Sequence, residues 1–265
     1  MQVFADDGAC IDVSVDGVQR APVVVMIHGF PLTRAVWQVH GDELAQTYRV
    51  LRIDLRGAGS SSVPEGPYLM ERLAADVAAA LDALNIERAA MIGHSMGGYV
   101  ALAFARMFTE RITRLALVAG RLRADTPGEA AARRELADRV ERAGTPEPAI
   151  AAYLPRLFGS QSATARPHVV ERAHEIARAN SAAGVAATLR GMALRASSED
   201  IVSDLDIPML TIAGASDRVV QMDEARDIAR RFPRGRLVVC EQSGHLPMLE
   251  EPERVSDALR AWLSE

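Results

Sequence analysis

One serine in the sequence stands where a nucleophile would be expected. The pattern G-x-S-x-G occupies residues 93–97, directly after an apolar run (88–94) and at the head of a stretch with helical periodicity (97–108). A strand that turns sharply into a helix lifts the serine hydroxyl above the edge of a sheet, and flanking glycines let neighbouring backbone pass close by. The pattern predicts that Ser95 is a nucleophile, although a plain structural turn could carry the same letters.

Two further residues could activate this serine. Asp217 follows the apolar run 207–214, and His245 follows the run 236–241. A neutral imidazole must take the serine proton, and a carboxylate must fix the tautomer of that imidazole. Both residues come directly after a predicted strand, as Ser95 does, so we expect all three at one edge of the sheet. The sequence therefore predicts a triad of Ser95 as nucleophile, His245 as general base and Asp217 as the acid that orients the base.

Other histidines and acids compete for these roles. His94 adjoins the serine and cannot turn back to become its base, but it is a candidate to contact the substrate. We expect His40 on a surface helix, and His28 to orient its own loop rather than transfer protons. Asp223 lies six residues beyond Asp217, where it is better suited to begin a helix.

A loop after another apolar run supplies the second element of the predicted chemistry. Attack on a carbonyl creates an oxyanion, which needs backbone N–H donors fixed in advance. The residue after the nucleophile, Met96, provides one donor, and the loop 28–31 (HGFP) provides the other, which we assign to Phe30. We also expect the Phe30 ring to form a wall of the acyl pocket.

The elements that must position these residues alternate along the chain. Short apolar runs predict buried parallel strands, and stretches with a period near 3.6 residues between them predict helices. This alternation predicts a doubly wound α/β sheet that is mostly parallel. The runs are 22–28, 49–55, 88–94, 112–120, 207–214 and 236–241, and the helical stretches are 72–84, 97–108, 225–232 and 254–263.

Residues 121–200 interrupt the alternation. No strand-like run occurs there, and four helical stretches rich in alanine and arginine appear instead. We interpret this region as an inserted helical lid, with 1–120 and 201–265 forming the catalytic core. Leu189 and Met192 of the lid are candidate substrate contacts, although an apolar stripe on a helix more often packs against the body of the protein.

Composition excludes several function classes. The 30 positive side chains are all arginines, so chemistry that needs a lysine is excluded. The net charge of −5 comes without a basic stripe, and we expect no nucleic-acid partner. No stretch approaches the roughly 18 apolar residues of a membrane span. We therefore expect a cytoplasmic protein that does not bind membranes. We also expect a monomer or homodimer that needs no cofactor and holds no metal. The two cysteines are expected to be buried and free.

The motifs together resemble the α/β-hydrolase family. They are HGFPL (28–32), DLRGAG (54–59), GHSMGG (93–98), GASDR (214–218) and SGHLPMLEEPERV (243–255). Within this family the chain is similar to small-lid esterases and to hydrolases of the 3-oxoadipate enol-lactonase type. The resemblance implies an α/β-hydrolase fold, a small-molecule ester or lactone as substrate, and triad and oxyanion positions at the residues already named.

Several functions remain open at this point. We expect a serine hydrolase that cleaves a carboxylic ester or lactone through an acyl-enzyme. The same triad can also hydrolyse a carbon–carbon bond, or transfer an acyl group to an alcohol or to peroxide. A ligand receptor built on the same scaffold is another possibility, and such receptors commonly lose a member of the triad, whereas this chain keeps all three.

Overall fold

The computed structural model describes residues 1–159, 162 and 165–265. The described residues form one sheet of eight strands in the order β1-β2-β4-β3-β5-β6-β7-β8. β1 and β2 pair antiparallel, as do β2 and β4, and all other neighbours are parallel. The strands are β1 Gln2–Phe4, β2 Cys10–Gly17, β3 Val23–Ile27, β4 Arg49–Asp54, β5 Ala89–His94, β6 Ile112–Val118, β7 Met209–Gly214 and β8 Gly235–Cys240.

The central parallel strands are covered on both faces. Every residue of β5 and of β7 is buried, which explains why these strands read as continuous apolar runs rather than as alternating ones. In β3, Val25 and Ile27 belong to the core on one face of the sheet, whereas Val24 and Met26 belong to the core on the other. The six apolar runs form β3 to β8, and the predicted mostly parallel α/β sheet is confirmed.

Helices flank the sheet and lie between its strands. α2 and α3 contribute to the core on one face, while α1 and α10 contribute to the core on the other. None of the helices in the described ranges is both long and apolar enough to cross a membrane. The helices are α1 Gln38–Leu44, α2 Met70–Ala83, α3 Met96–Met107, α4 Pro127–Ala143, α5 Glu147–Leu157, α6 Pro167–Arg178, α7 Ala182–Met192, α8 Met222–Arg231, α9 Pro247–Glu250 and α10 Pro252–Leu263, with 3₁₀ turns at Arg34–Trp37 and Thr109–Arg111.

In the described part of the region 121–200, helices α4 to α7 lie between β6 and β7. α4 begins with a capping box in which Thr126 and Glu129 bond each other's backbone N–H groups. The two ends of the region are tied together by buried ions, because the Asp125 carboxylate accepts from Arg195 at 2.9 Å and from Arg133 at 2.5 Å. The entry and the exit of this helical region are therefore held at one point.

Two expectations about burial are wrong. His40, expected on a surface helix, is completely buried in α1, where its ring bonds the Ser256 hydroxyl at 2.8 Å and the Met248 carbonyl at 3.0 Å. The reason is that α1 packs against α10, so its polar residue meets partners inside the protein. Cys240 is buried and free as expected, but Cys10 is only partly buried, because it begins a strand near the edge of the sheet.

Candidate active site

Ser95 occupies the turn between β5 and α3. Its backbone has φ +50° and ψ −111°, a conformation that non-glycine residues rarely adopt and that is costly unless the surroundings enforce it. A Cβ at Gly93 would lie 2.3 Å from the Gly97 carbonyl oxygen, and a Cβ at Gly97 would lie 2.3 Å from the carbonyl oxygen of Ile27. Both glycines are therefore required for the close approach that holds Ser95 in this strained turn.

His245 lies between β8 and α9 with its ring directed at the serine. Its Nε2 is 2.8 Å from the Ser95 Oγ, and its Nδ1 is 2.8 Å from an oxygen of Asp217. Its backbone N–H donates to the Leu157 carbonyl of α5 at 2.7 Å. Because a carboxylate can only accept, Nδ1 must carry the proton, and Nε2 is left free to accept the serine proton.

Asp217 follows β7 and holds the other side of the imidazole. One carboxylate oxygen faces His245, and the other accepts the backbone N–H groups of Val219 at 2.7 Å and Val220 at 3.0 Å. The side chain is only 1% exposed. These hydrogen bonds fix the carboxylate and satisfy the charge that its burial would otherwise leave unpaired.

The competing acid lies elsewhere. Asp223 is in the first turn of α8, and its side chain is 92% exposed and paired with Arg226 at 3.0 Å. This is the position that its spacing predicted. Among the acids considered from the sequence, Asp217 alone contacts the imidazole of His245.

Phe30 and Met96, the predicted oxyanion donors, line one cleft. Met96 is the first residue of α3, so its N–H is among those that lack an acceptor within the helix and lies at the positive end of the helix dipole. The cleft has a volume of about 210 Å³, including space open to solvent. It is lined by His28, Phe30, Pro31, Leu32, Gly57, Ala58, Met96, Asn180, Val185 and Thr188.

The loop that carries Phe30 is fixed from two sides. The Nε2 of His28 accepts the Leu55 N–H at 3.1 Å, while its Nδ1 lies 3.0 Å from the Gly29 carbonyl. The side-chain amide of Asn180 donates to the Pro31 carbonyl at 2.8 Å. His28 therefore orients its own loop, as expected, and both a strand end and the helical region hold that loop in place.

His94 does not reach the cleft, and its proposed contact with substrate needs correction. The side chain is completely buried, and its Nε2–H donates to the His245 carbonyl at 2.9 Å. Burial holds the pKa of His94 well below its usual value, and the nearby His245 adds to this effect, so the ring is neutral. His94 is the last residue of β5, and its ring lies next to His245, whose backbone carbonyl it supports.

Leu189 and Met192 are likewise not among the residues that line the cleft. Leu189 is completely buried and Met192 is 2% exposed, and both belong to the hydrophobic core. α7 instead presents Val185 and Thr188 to the cleft. The apolar pattern identified the helix, but it could not show which side of the helix faces the cleft. The residues on both sides are apolar or small.

Sequence reasoning missed two residues of the helical region. Asn180 bonds the Pro31 carbonyl and accepts the Gly59 N–H at 2.9 Å, and Tyr153 of α5 meets the ring of Phe30 edge-on with centroids 5.1 Å apart. A single asparagine between two alanine-rich helical stretches was the one available signal for Asn180. Nothing in the local pattern distinguished Tyr153 from a core residue.

The charged residues of the DLRGAG segment make contacts within the protein. The Asp54 carboxylate accepts the backbone N–H groups of Arg34 at 2.7 Å and Ser60 at 3.2 Å. Arg56 is buried and pairs with Asp76 at 2.6 Å. Asp54 therefore braces the backbone at residues 34 and 60, and Arg56 ties the segment to α2.

No metal-ligating cluster accompanies these residues. In residues 1–159, 162 and 165–265, no three His, Cys, Asp or Glu side chains are grouped as they would be around a metal ion. The buried His28 and His40 use both ring nitrogens in contacts within the protein. These two histidines therefore act as anchors for their loops.

Comparisons with known proteins show the family to which this architecture belongs. The family model for the alpha/beta hydrolase fold matches residues 22–252. The chain is 31% identical to 3-oxoadipate enol-lactonase 2 of Acinetobacter baylyi, over 97% of this chain and 96% of that protein. Its structure is similar to that of a thermophilic esterase from Thermogutta terrifontis (malate bound), with 35% identity, a TM-score of 0.95 and coverage of 100% of this chain and 97% of that one. It is also similar to the enol-lactonase from Burkholderia xenovorans, with 26% identity, a TM-score of 0.92 and full coverage of both chains. The chain belongs to the α/β-hydrolase family.

Proposed function

We propose that this protein is a serine hydrolase that cleaves carboxylic esters or lactones through an acyl-enzyme on Ser95. The proposal rests on one observation above all: hydrogen bonds of 2.8 Å join Ser95 to His245 and His245 to Asp217. Nucleophile, base and orienting acid stand within reach of each other in the order that the chemistry requires.

In the first half of the proposed reaction, the Ser95 Oγ attacks the carbonyl carbon of the substrate while Nε2 of His245 takes the serine proton. The carbonyl oxygen becomes an oxyanion, and we assign its stabilisation to the backbone N–H groups of Phe30 and Met96. When the tetrahedral intermediate collapses, the carbon–oxygen bond to the leaving group breaks, and the imidazolium returns its proton to that oxygen. An ester releases its alcohol, whereas a lactone keeps the new hydroxyl on the acyl chain.

In the second half, water takes the place of the serine. His245 accepts a proton from the water as its oxygen attacks the acyl carbon, and it then protonates the departing Ser95 Oγ. The product is a carboxylic acid. Asp217 holds the ring in the tautomer with Nδ1–H and stabilises the imidazolium in both halves.

The relatives support the choice of substrate class. An enol-lactonase with 31% identity and an esterase with 35% identity both align along nearly the whole chain. Both names describe hydrolysis at a carbonyl bonded to oxygen. Esters and lactones are therefore the substrates with which to begin.

The test compares the protein with its Ser95→Ala variant on a panel of esters and lactones. We expect the wild type to hydrolyse at least some members and the folded variant to lose nearly all of this activity. A fluorophosphonate probe should label the wild type and not the variant. If the variant keeps its rate, the nucleophile is another residue; if a dienoate ring-cleavage product is turned over much faster than every ester and lactone, the enzyme is instead a carbon–carbon bond hydrolase.

A further inference from the structure

A broad groove lies beside the triad, between the lid helices α4 and α5 and the loop that follows Asp217. Its volume is about 1050 Å³, including space open to solvent. Five arginines and two glutamates line it, although the chain as a whole carries a net charge of −5. The arginines are Arg121, Arg133, Arg139, Arg156 and Arg218, and the glutamates are Glu129 and Glu135.

Two of the arginines are already neutralised by carboxylates. Arg121 pairs with Glu224 at 2.9 Å and with Glu129 at 3.2 Å. Arg133 pairs with Asp125 at 2.5 Å, and its second arm donates to the Tyr153 hydroxyl at 2.8 Å. These two guanidinium groups build the wall of the groove and have little capacity left for a ligand.

The other three arginines remain available. In the described part of the chain, Arg139, Arg156 and Arg218 make no ion pair, and all three are exposed. The Arg156 guanidinium lies 5.0 Å from the centre of the Tyr153 ring, which holds it at the groove. Guanidinium groups that converge on one concave surface attract anions, and a planar guanidinium suits a carboxylate in particular.

The groove adjoins the triad at two points. Arg218 and Val219 directly follow Asp217, and the Val219 N–H bonds the carboxylate of that residue at 2.7 Å. On the other side, the Tyr153 ring packs against Phe30, which lines the cleft next to Met96. The groove therefore lies next to the segment that carries Asp217 and next to the ring of Phe30.

We propose that the groove binds the carboxylate of a substrate that carries a negative charge away from its ester or lactone bond, held by Arg139, Arg156 and Arg218. This inference rests on the proposed function, because it assigns the groove to a substrate of Ser95. Neutral substrates would use only the small cleft beside Phe30. Anionic substrates would gain affinity from the groove, and that gain would fall as salt screens the exposed arginines.

The test uses two small molecules of the same shape that differ only in charge. Monomethyl adipate carries a carboxylate at its far end, and the corresponding methyl ester with a terminal amide does not. Each is measured as a competitor of 4-nitrophenyl acetate, a neutral reporter ester, so that an inhibition constant is obtained whether or not the competitor is itself hydrolysed. We expect monomethyl adipate to bind about tenfold more tightly than the amide at low salt, and the difference to shrink in 0.5 M NaCl.

Variants assign the effect to the groove. Arg156→Gln and Arg218→Gln should each weaken monomethyl adipate about three- to tenfold, the triple variant with Arg139→Gln should remove the preference for the anion, and the amide should bind as before. Arg134→Gln is the matched control, because Arg134 is an exposed arginine of α4 that does not line the groove.

Two results would overturn the groove proposal: equal binding of the two compounds by the wild type, or a preference for the anion that survives in the triple variant. Failure of the proposed function would look different, since the reporter would then show no hydrolysis that depends on Ser95. In that case calorimetry with monomethyl adipate still measures whether the groove binds a carboxylate.

Discussion

The carboxyl edge of the sheet and the helical region 121–200 place their residues by different means. At the sheet edge, Ser95, Asp217 and His245 each follow a strand of the parallel part of the sheet, and the register of these strands brings the three residues together. In the helical region, the rotation of α7 about its axis decides which of its side chains line the cleft, and the rotation of α5 decides which of its side chains meet Phe30. The position of a residue that follows a strand can be predicted from the sequence alone. The direction of a side chain on a helix is known only once the packing of that helix is known.

The largest effect should come from the acid at the sheet edge. Asp217→Asn keeps the shape of the side chain but favours the wrong tautomer of His245, and the corresponding change in a serine protease with the same triad costs about 10⁴-fold in kcat. We expect a severe loss that approaches this size. Asp223→Asn is the matched control and should change kcat for the same ester by less than about twofold. If Asp223→Asn were the more damaged enzyme, the assignment of the acid would be wrong.

Neighbouring positions of α7 should separate packing from specificity. Leu189→Ala removes a completely buried side chain and should lower the free energy of unfolding by about 2–5 kcal/mol, while the selectivity among esters stays the same. Val185→Ala enlarges the cleft and should change relative kcat/KM along a series of acyl chain lengths by about 1–3 kcal/mol. Urea unfolding and the ester series measure the two quantities. The opposite pattern, with selectivity moved by Leu189→Ala alone, would mean that α7 is rotated differently.

Substitution of one glycine in each region should affect stability differently. Gly97→Ala places a methyl group 2.3 Å from the Ile27 carbonyl oxygen, and we expect a loss of about 1–3 kcal/mol in unfolding free energy together with a misplaced Ser95. Gly128→Ala, in the first turn of α4, meets nothing within 4 Å and should be neutral or stabilise the protein by up to about 1 kcal/mol. Thermal unfolding measures the change in stability of both variants. Equal changes would show that the close approach of backbone at the turn does not require a glycine at position 97.

The smallest effect concerns stability at mildly acidic pH. Burial lowers the pKa of His40, as it does for His28 and His94, so below about pH 6.5 the folded protein binds fewer protons at these rings than the unfolded chain does. Each such ring therefore makes the free energy of unfolding fall as pH drops below this value, by up to about 1.4 kcal/mol per pH unit. His40→Gln should reduce this slope between pH 6.5 and 5.5, whatever its effect on absolute stability.

The control for the pH experiment comes from the helical region. His168 is exposed on α6, and His168→Gln should leave the slope as it is in the wild type. Denaturant unfolding at several pH values gives the slope for all three proteins. A slope that is the same in the wild type and in His40→Gln would show that the buried ring is protonated in the folded state.

The parallel sheet and the order of the catalytic candidates could be predicted because both depend on short segments of the sequence. A buried parallel strand is a continuous apolar run in the sequence. The residue that follows it lies at the carboxyl edge of the sheet, and this does not depend on contacts with distant parts of the chain. The burial of His40 could not be predicted in this way, since it depends on α10, more than 200 residues further along the chain. The roles of Asn180 and Tyr153 also arise from contacts across the fold, with Pro31 and Phe30.

The central claim is that Ser95 forms a covalent acyl-enzyme. Its most direct test is to quench the protein during turnover of 4-nitrophenyl acetate and to map any acetyl group by mass spectrometry of proteolytic peptides. We predict one acetyl group on the peptide that contains Ser95, with none on that peptide in Ser95→Ala and a larger amount in Asp217→Asn if deacylation is slowed more than acylation. An acetyl group found on another residue, or turnover at the wild-type rate in Ser95→Ala, would contradict the account.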